Sequence, residues 1–420
     1  MLFTKFRKKK VNDMLKLKQN KKILIREDKK IHWKSNLWKA YIAQFFMGFH
    51  LISGILIPFF NVWGGLNFVE IMMLQSYFTV MIIVFEIPCG AIADYLSRKL
   101  ALILGAGIMG IAALVYSSYP HIIIFVLGET LWAVGDSLIS GTYQAFLYDT
   151  LRKLGREDEI AKIMARNRSF SLIGIGFSAP IGSIIGATIS LPLVMRLMFI
   201  PMMITVVIGL TFREPIDDLQ KTNKKKYIKV VKSGIKEISS NKILRVLAFE
   251  LVIIETFVFF LIWMYQIYLE AINFSIGLFG FVTTSITLVQ IVFNNLAPKL
   301  ESKLTRKRLF IQIYSIIPGI GFIMMAWITY IPISIFLILL VLGMGFSRSI
   351  LFTKGINKRI ETDNRATVIS TINMIACLLH SILYPIIGYL TMNSLNMTFI
   401  FLGSLIIIFS LISRIKNEYI

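Results

Sequence analysis

Between Trp38 and Ser413 the chain passes twelve times through apolar stretches about 20 residues long, parted by short polar breaks. Such a stretch crosses hydrocarbon as a helix, because a helix satisfies every backbone polar group within itself. The spans fall near 38–60, 69–93, 100–118, 122–148, 170–189, 193–212, 246–269, 276–296, 309–328, 333–352, 367–390 and 397–413. Composition agrees: 56% of residues are hydrophobic, 16% are charged, and mean hydropathy is +0.72.

The basic residues fix the count. Of 45 Lys and Arg, only Arg196 and Arg348 fall within the spans once Lys39 is grouped with the N-terminal tail. The rest lie in the two tails and in alternate loops: 2–3, 4–5, 6–7, 8–9 and 10–11. The intervening loops, near Gly64, Tyr119, Leu191, Asn273, Tyr330 and Asn393, carry none. Positive charge marks the cytoplasmic side, so both termini are expected there. One helix too many or too few would invert every later loop. The net charge of +22 is therefore a topology signal and speaks against nucleic-acid binding. Cys89 and Cys377 stand in different halves without metal-ligand spacing, which speaks against a disulfide framework or a zinc site and for small buried thiols. Residues 1–37 form a basic cytoplasmic extension with no apolar core of a cleavable signal, suited to anionic headgroups.

The Lys-rich linker 213–245 divides the helices six and six, into bundles at 38–212 and 246–413, and 414–420 form a cytoplasmic tail. A faint repeat supports the division. Asp94 followed by Arg98 and Lys99 after the second span is echoed after the eighth by Glu301, Arg306 and Lys307. The fold expected is all-α: a membrane protein of twelve transmembrane helices in two six-helix bundles related by a pseudo-twofold axis.

The stretch EIPCGAIADYLSRK, Glu86 to Lys99, resembles the signature loop of the major facilitator superfamily. Gly90, Asp94, Arg98 and Lys99 keep its spacing, while Tyr95 and Ser97 replace a basic residue and a second Gly. SGTYQAFLYDTL, WMYQIYL and DNRATVISTINM look like a bacterial and archaeal branch of that family. The resemblance implies that the loop acts as a cytoplasmic gate. Asp94 would face the start of helix 11 near Asn364 to Thr367, Arg98 would pair with Asp149, and Glu86 would belong with them. Two departures touch substrate. Ser137 stands where proton-coupled drug exporters carry an Arg, and Ala179-Pro180 replaces their Gly-Pro.

Charges at bilayer depth cost about 2.5–3.5 kcal/mol or more each and so mark function. Glu129 and Asp136 share one face of helix 4, about 10 Å apart along its axis. By resemblance, helices 1, 4, 7 and 10 line a central cavity. His50, Glu129, Asp136, Glu255 and Arg348 lie on these helices, and they are the candidates for proton coupling. Gln44, Trp132, Trp263, Gln266 and Gln290 are candidate substrate contacts.

No nucleotide-binding Gly-Lys motif is present, so the chain reads as no enzyme and as needing no cofactor beyond a coupling proton. The resemblance implies a secondary active transporter of the cell membrane, functional as a monomer. It would work by alternating access, with proton-coupled export of a small amphipathic or organic molecule. Uptake of a nutrient or organic anion, with Arg348 meeting the anion, is the second expectation. A non-transporting membrane sensor is the third.

Overall fold

The computed structural model describes residues 33–215, 227–360 and 365–419, and these are helical with no strand among them. The first helix, α1, runs over 33–47 and breaks at 48–50. It resumes through a 3-10 turn (Leu51–Gly54), a short α turn (Leu56–Pro58) and a π turn (Phe59–Trp63). Then follow α2 (Phe68–Leu96), α3 (Arg98–Tyr116), α4 (Ile122–Leu154) and α5 (Ile160–Thr188). The sixth, α6, has two parts, Leu191–Leu197 and Phe199–Leu210. A linker helix (Tyr227–Ser240) leads to α7, which breaks at Phe260 into Lys242–Phe259 and Leu261–Ala271. The chain ends with α8 (Phe279–Lys303), α9 (Lys307–Met325), α10 (Ile331–Asn357), α11 (Arg365–Asn393) and α12 (Leu395–Leu411). Ten of these elements are long and apolar enough to cross a membrane unaided, α12 is a shorter apolar helix, and the broken α1 completes twelve.

Local chemistry sets the ends. Asn67 and Glu70 form a reciprocal capping box that starts α2, and Asn241 and Ser394 cap α7 and α12. Gly155 ends α4 in the left-handed region at φ +67°, where a Cβ would be strained. Several helices outrun their apolar stretches. α4 continues to Leu154, α5 begins at Ile160 and α10 runs on to Asn357, because amphipathic turns extend them past the hydrocarbon. Expectations for residues 1–32 and 216–226 concern segments outside the described residues.

The core is shared at one end of the molecule and divided at the other. A large apolar cluster joins Phe59, Phe60, Phe125 and Met198 of the first bundle to Phe260, Phe279, Phe322 and Phe399 of the second. It lies toward the end whose loops carry no Lys or Arg, here called the far end. At the basic end there are separate cores. One holds Leu37, Tyr41, Phe146, Leu151 and Phe212 of the first bundle. Another holds Leu244, Leu251, Phe352, Ile356 and Tyr419 of the second. The bundles are thus joined at the far end and part toward the basic end.

Candidate functional site

The far-end joint brings backbones close. A Cβ on Gly280 of α8 would run into the Ala179 carbonyl oxygen of α5, and one on Gly54 of α1 would lie 2.8 Å from Gly280 Cα. Side-chain hydroxyls bridge the same seam. Ser76 Oγ donates to Ser381 O (2.6 Å), Ser183 Oγ to Gly277 O (2.9 Å) and Thr284 Oγ1 to Gly176 O (2.8 Å). These contacts are possible because small residues line the facing helices.

Toward the basic end, polar residues face outward from the central helices. On α4, Ser140, Gly141, Gln144 and Tyr148 are exposed along one stripe. A lipid-facing stripe would be apolar, so this one faces an aqueous cleft. On α11, Ser370 and Asn373 are exposed, and the same stripe continues to Cys377 and His380.

At the head of this cleft stand the predicted groups of the first bundle. The His50 ring, at the break in α1, meets Trp132 of α4 edge-on at 5.6 Å. Trp132 in turn meets Tyr116 at 6.5 Å. Glu129 is buried one turn toward the far end, where it accepts from Gln75 Nε2 (2.9 Å) and from the Tyr116 hydroxyl. Asp136, one turn toward the basic end of Trp132, is partly exposed and has no hydrogen bond or ion pair among the described residues. Glu129 and Asp136 therefore share a helix face but not an environment.

In the second bundle Phe259 of α7 stacks on His380 of α11 with centroids 4.2 Å apart, and Trp263 meets Tyr384 edge-on at 5.8 Å. Glu255, one turn toward the basic end from Phe259, is partly exposed and makes no hydrogen bond among the described residues. Arg348 differs from its expected place in a cavity wall. It is 2% exposed, and its Nη2 donates to Glu250 Oε2 at 2.9 Å. Its Nη1 donates to the Glu250 carbonyl (2.7 Å), its Nε to Ser315 Oγ (2.6 Å), and the guanidinium lies over the Phe352 ring. The charge is held inside the bundle, with Glu255 as a further electrostatic neighbour. The only sequence signal for this pairing was that Glu250 and Arg348 are opposite charges at similar depth in their helices.

The polar candidates divide. Gln44 has a buried Oε1 without a hydrogen-bond partner, and Gln290 is half-buried on α8. Gln266 is 3% exposed and bonded to the α1 backbone, so it is a contact between bundles where a pocket residue was expected.

At the basic end Arg98 Nη1 forms the expected ion pair with Asp149 and also donates to the Ala145 carbonyl at 2.5 Å. Lys99 turns to α6 instead, its N–H on Glu214 Oε2 (2.9 Å) and its Nζ on the Leu210 carbonyl (2.6 Å). Gly90 is exposed with open space where a Cβ would stand. Glu86 is half-buried and is an electrostatic neighbour of Cys377 on α11. Asp94 is in the last turn of α2, and its expected contact at Asn364 lies outside the described residues. The echo in the second half has its own ion cluster. Glu301 is fully buried between Lys354 Nζ, at 2.8 Å, and Lys307.

A sequence profile of the Major Facilitator Superfamily matches residues 40–385. An uncharacterized MFS-type transporter of Bacillus subtilis (strain 168), YxaM, is 25% identical over 143 residues. That match spans 31% of this chain and 34% of the relative, about a third of its length. The nucleoside transporter NupG superposes with a TM-score of 0.73 at 14% identity, covering 89% of this chain and 97% of that one. A D-xylose-proton symporter superposes at 0.67 with 13% identity, covering 93% and 99%. At such identities the likeness is one of fold.

Proposed function

The chain belongs to the major facilitator superfamily, and on that premise we propose that it is a proton-coupled secondary transporter that exports a small, neutral or cationic amphipathic solute across the cell membrane. The basic end is the cytoplasmic end, by the placement of Lys and Arg, with both termini on that side. The cleft then opens to the cytoplasm, and the arrangement described is inward-facing.

One observation carries the choice of coupling and charge. Asp136 and Glu255 are partly exposed carboxyls on central helices that make no hydrogen bond or ion pair among the described residues, Glu255 having Arg348 only as an electrostatic neighbour, while Arg348 is held by Glu250 and Ser315. Acids of this kind take up and release protons as the site alternates, whereas a guanidinium buried and held through Nε, Nη1 and Nη2 to groups of its own bundle is not presented to a substrate carboxylate. The same engagement weighs against transport of an organic anion. Trp132, Phe259 and Trp263 supply flat apolar surface beside the two acids. Gln44, with an unpaired buried oxygen, is the polar contact best placed to be completed by a solute. Arg98, Asp149, Asp94 and Glu86 belong to the gate at the basic end and not to the solute site. The unit is the monomer, and its partners are the solute and the bilayer.

The test is transport into proteoliposomes of a matched series of cationic, neutral and anionic amphipathic solutes under imposed pH gradients of either sign. Accumulation of cationic or neutral members that reverses with the gradient is expected. Accumulation that ignores the gradient, or favours the anions, overturns the proposal.

A further inference from the structure

Gln266 stands inside a gap in the hydrogen-bond ladder of α1. In a continuous α-helix the Ile57 N–H would donate to the Ser53 carbonyl, four residues earlier. Here the Ile57 N–H donates to Gln266 Oε1 at 3.0 Å, and Gln266 Nε2 donates to the Ser53 carbonyl at 3.2 Å. The carboxamide of a residue on α7, in the opposite bundle, has been inserted between the two groups of one missing helical bond. It offers each of them what the other would have offered. Side-chain insertion of this kind is a recognised cause of helix breaks. Nε2 also donates to the Tyr265 hydroxyl (3.0 Å), which shares a hydrogen bond with Thr283 of α8 (2.9 Å).

Two of the other bonds across the far end, those between α5 and the start of α8, are of a different type. Ser183 and Thr284 donate to carbonyls of the opposite bundle, but each also reaches a carbonyl of its own helix, Pro180 O at 3.0 Å and Gly280 O at 3.0 Å. When the bundles part, these hydroxyls keep a partner. Ser53 O and Ile57 N have two ways of being satisfied at this turn: through Gln266, or through each other.

We propose that Gln266 is a latch exchanged between the bundles during the transport cycle. It is inserted into α1 while the far end is shut and withdrawn when that end opens. On withdrawal the Ile57 N–H bonds to the Ser53 carbonyl, and the turn closes into regular helix. Neither state leaves a buried backbone group unpaired, so the switch avoids the penalty that would otherwise oppose opening. The latch rests on the alternating-access reading above. It does not depend on the identity of the solute or on proton coupling.

The test is pulsed electron-spin distance measurement on the full chain in lipid nanodiscs, with Cys89 and Cys377 replaced by Ala. One label pair reports the far end, at Tyr119→Cys and Tyr330→Cys, both exposed. The other reports the basic end, at Lys162→Cys and Lys299→Cys, also exposed. Q266L fills the space without hydrogen bonds, and Q266N keeps the amide one methylene too short to span the gap. Both are expected to raise the population with a long far-end distance about fivefold, the ratio given by losing one to two buried hydrogen bonds. The basic-end distance should shorten in the same samples. Unchanged distances, lengthening at both ends, or a shift toward the inward-facing state overturns the latch. So does failure of both variants to yield monodisperse protein, since Gln266 would then be needed for folding. Normal transport alongside the expected shift would leave the latch standing. If the wild type shows one state under all conditions, the alternating-access premise fails instead.

Discussion

Arg348 and Tyr143 occupy corresponding turns of α10 and α4, each six residues before the charged residue near the basic end, Lys354 and Asp149. Each reaches a backbone carbonyl on the first helix of its own bundle. Tyr143 Oη donates to Ala40 O at 2.8 Å, and Arg348 Nη1 to Glu250 O at 2.7 Å. The two bundles share the tie and differ in the residue that makes it. An intramembrane arginine reads as functional by its cost alone, and its partner lies 98 positions away. Removing one member of the pair should therefore act on stability. Arg348→Leu leaves Glu250 uncompensated and should cost about 3–5 kcal/mol, read as a lowered melting temperature in detergent. Adding Glu250→Leu should restore most of that loss, and a double variant no better than the single would refute the pairing argument. Asp136 is the contrasting case. It has no partner to lose, so Asp136→Asn should fold normally and exchange solute while failing to accumulate it against a gradient. Counterflow and gradient-driven uptake, measured on the same vesicles, separate the two, and retained accumulation would move the proton site to Glu255 or Glu129.

At the level of elements, the helices were legible because hydropathy reports burial in lipid, and their breaks were not. Residues 48–55 of α1 carry Gly48, His50, Ser53 and Gly54 within one apolar span, and the chain departs from α geometry there. At its far-end side, between Ser53 and Ile57, the gap is filled by a glutamine more than two hundred residues later, which no local pattern encodes. The basic extension of α5 from Ile160 was hidden for the opposite reason. Its Lys and Arg read as loop, while the helix continues beyond the membrane into water. The Arg98–Asp149 pair was legible, because the family's loop spacing names one partner and a single acid stands at the basic end of α4 for the other. The α5–α8 seam was visible only as a run of small residues. Its closeness gives a prediction. Gly280→Leu would place a side chain against the Ala179 carbonyl and the Pro180 nitrogen, backbone atoms that cannot rotate away. The far end could then no longer shut. The variant should insert and purify, yet transport at least about tenfold more slowly, since the inward-facing state would be lost. Transport at the wild-type rate would mean that the seam opens and closes without close contact of these backbones.

At the scale of the whole molecule, the division of the core decides what can move. The bundles keep separate apolar cores at the basic end and share one at the far end, so opening at the far end must break shared packing. Rocking between two such packings is the expected behaviour of a bistable interface. A covalent tie at the far end should therefore arrest the cycle without disturbing either bundle. Met72 and Gly388 are suited to it. A Cβ on Gly388 would lie 2.9 Å from Met72 Cβ, and replacing Met72 by Cys removes the Cγ now 3.0 Å from that position. Disulfides need Cβ atoms about 3.5–4.5 Å apart, a separation that helix movement of about 0.6–1 Å supplies. With Cys89 and Cys377 replaced by Ala, the oxidised Met72→Cys/Gly388→Cys protein should lose transport, bind solute added from the basic side, and regain transport on reduction. Each single variant should respond to neither oxidant nor reductant. If the oxidised double variant still transports, α2 and α11 stay together throughout the cycle, and the movement that opens the far end lies between α5 and α8 alone.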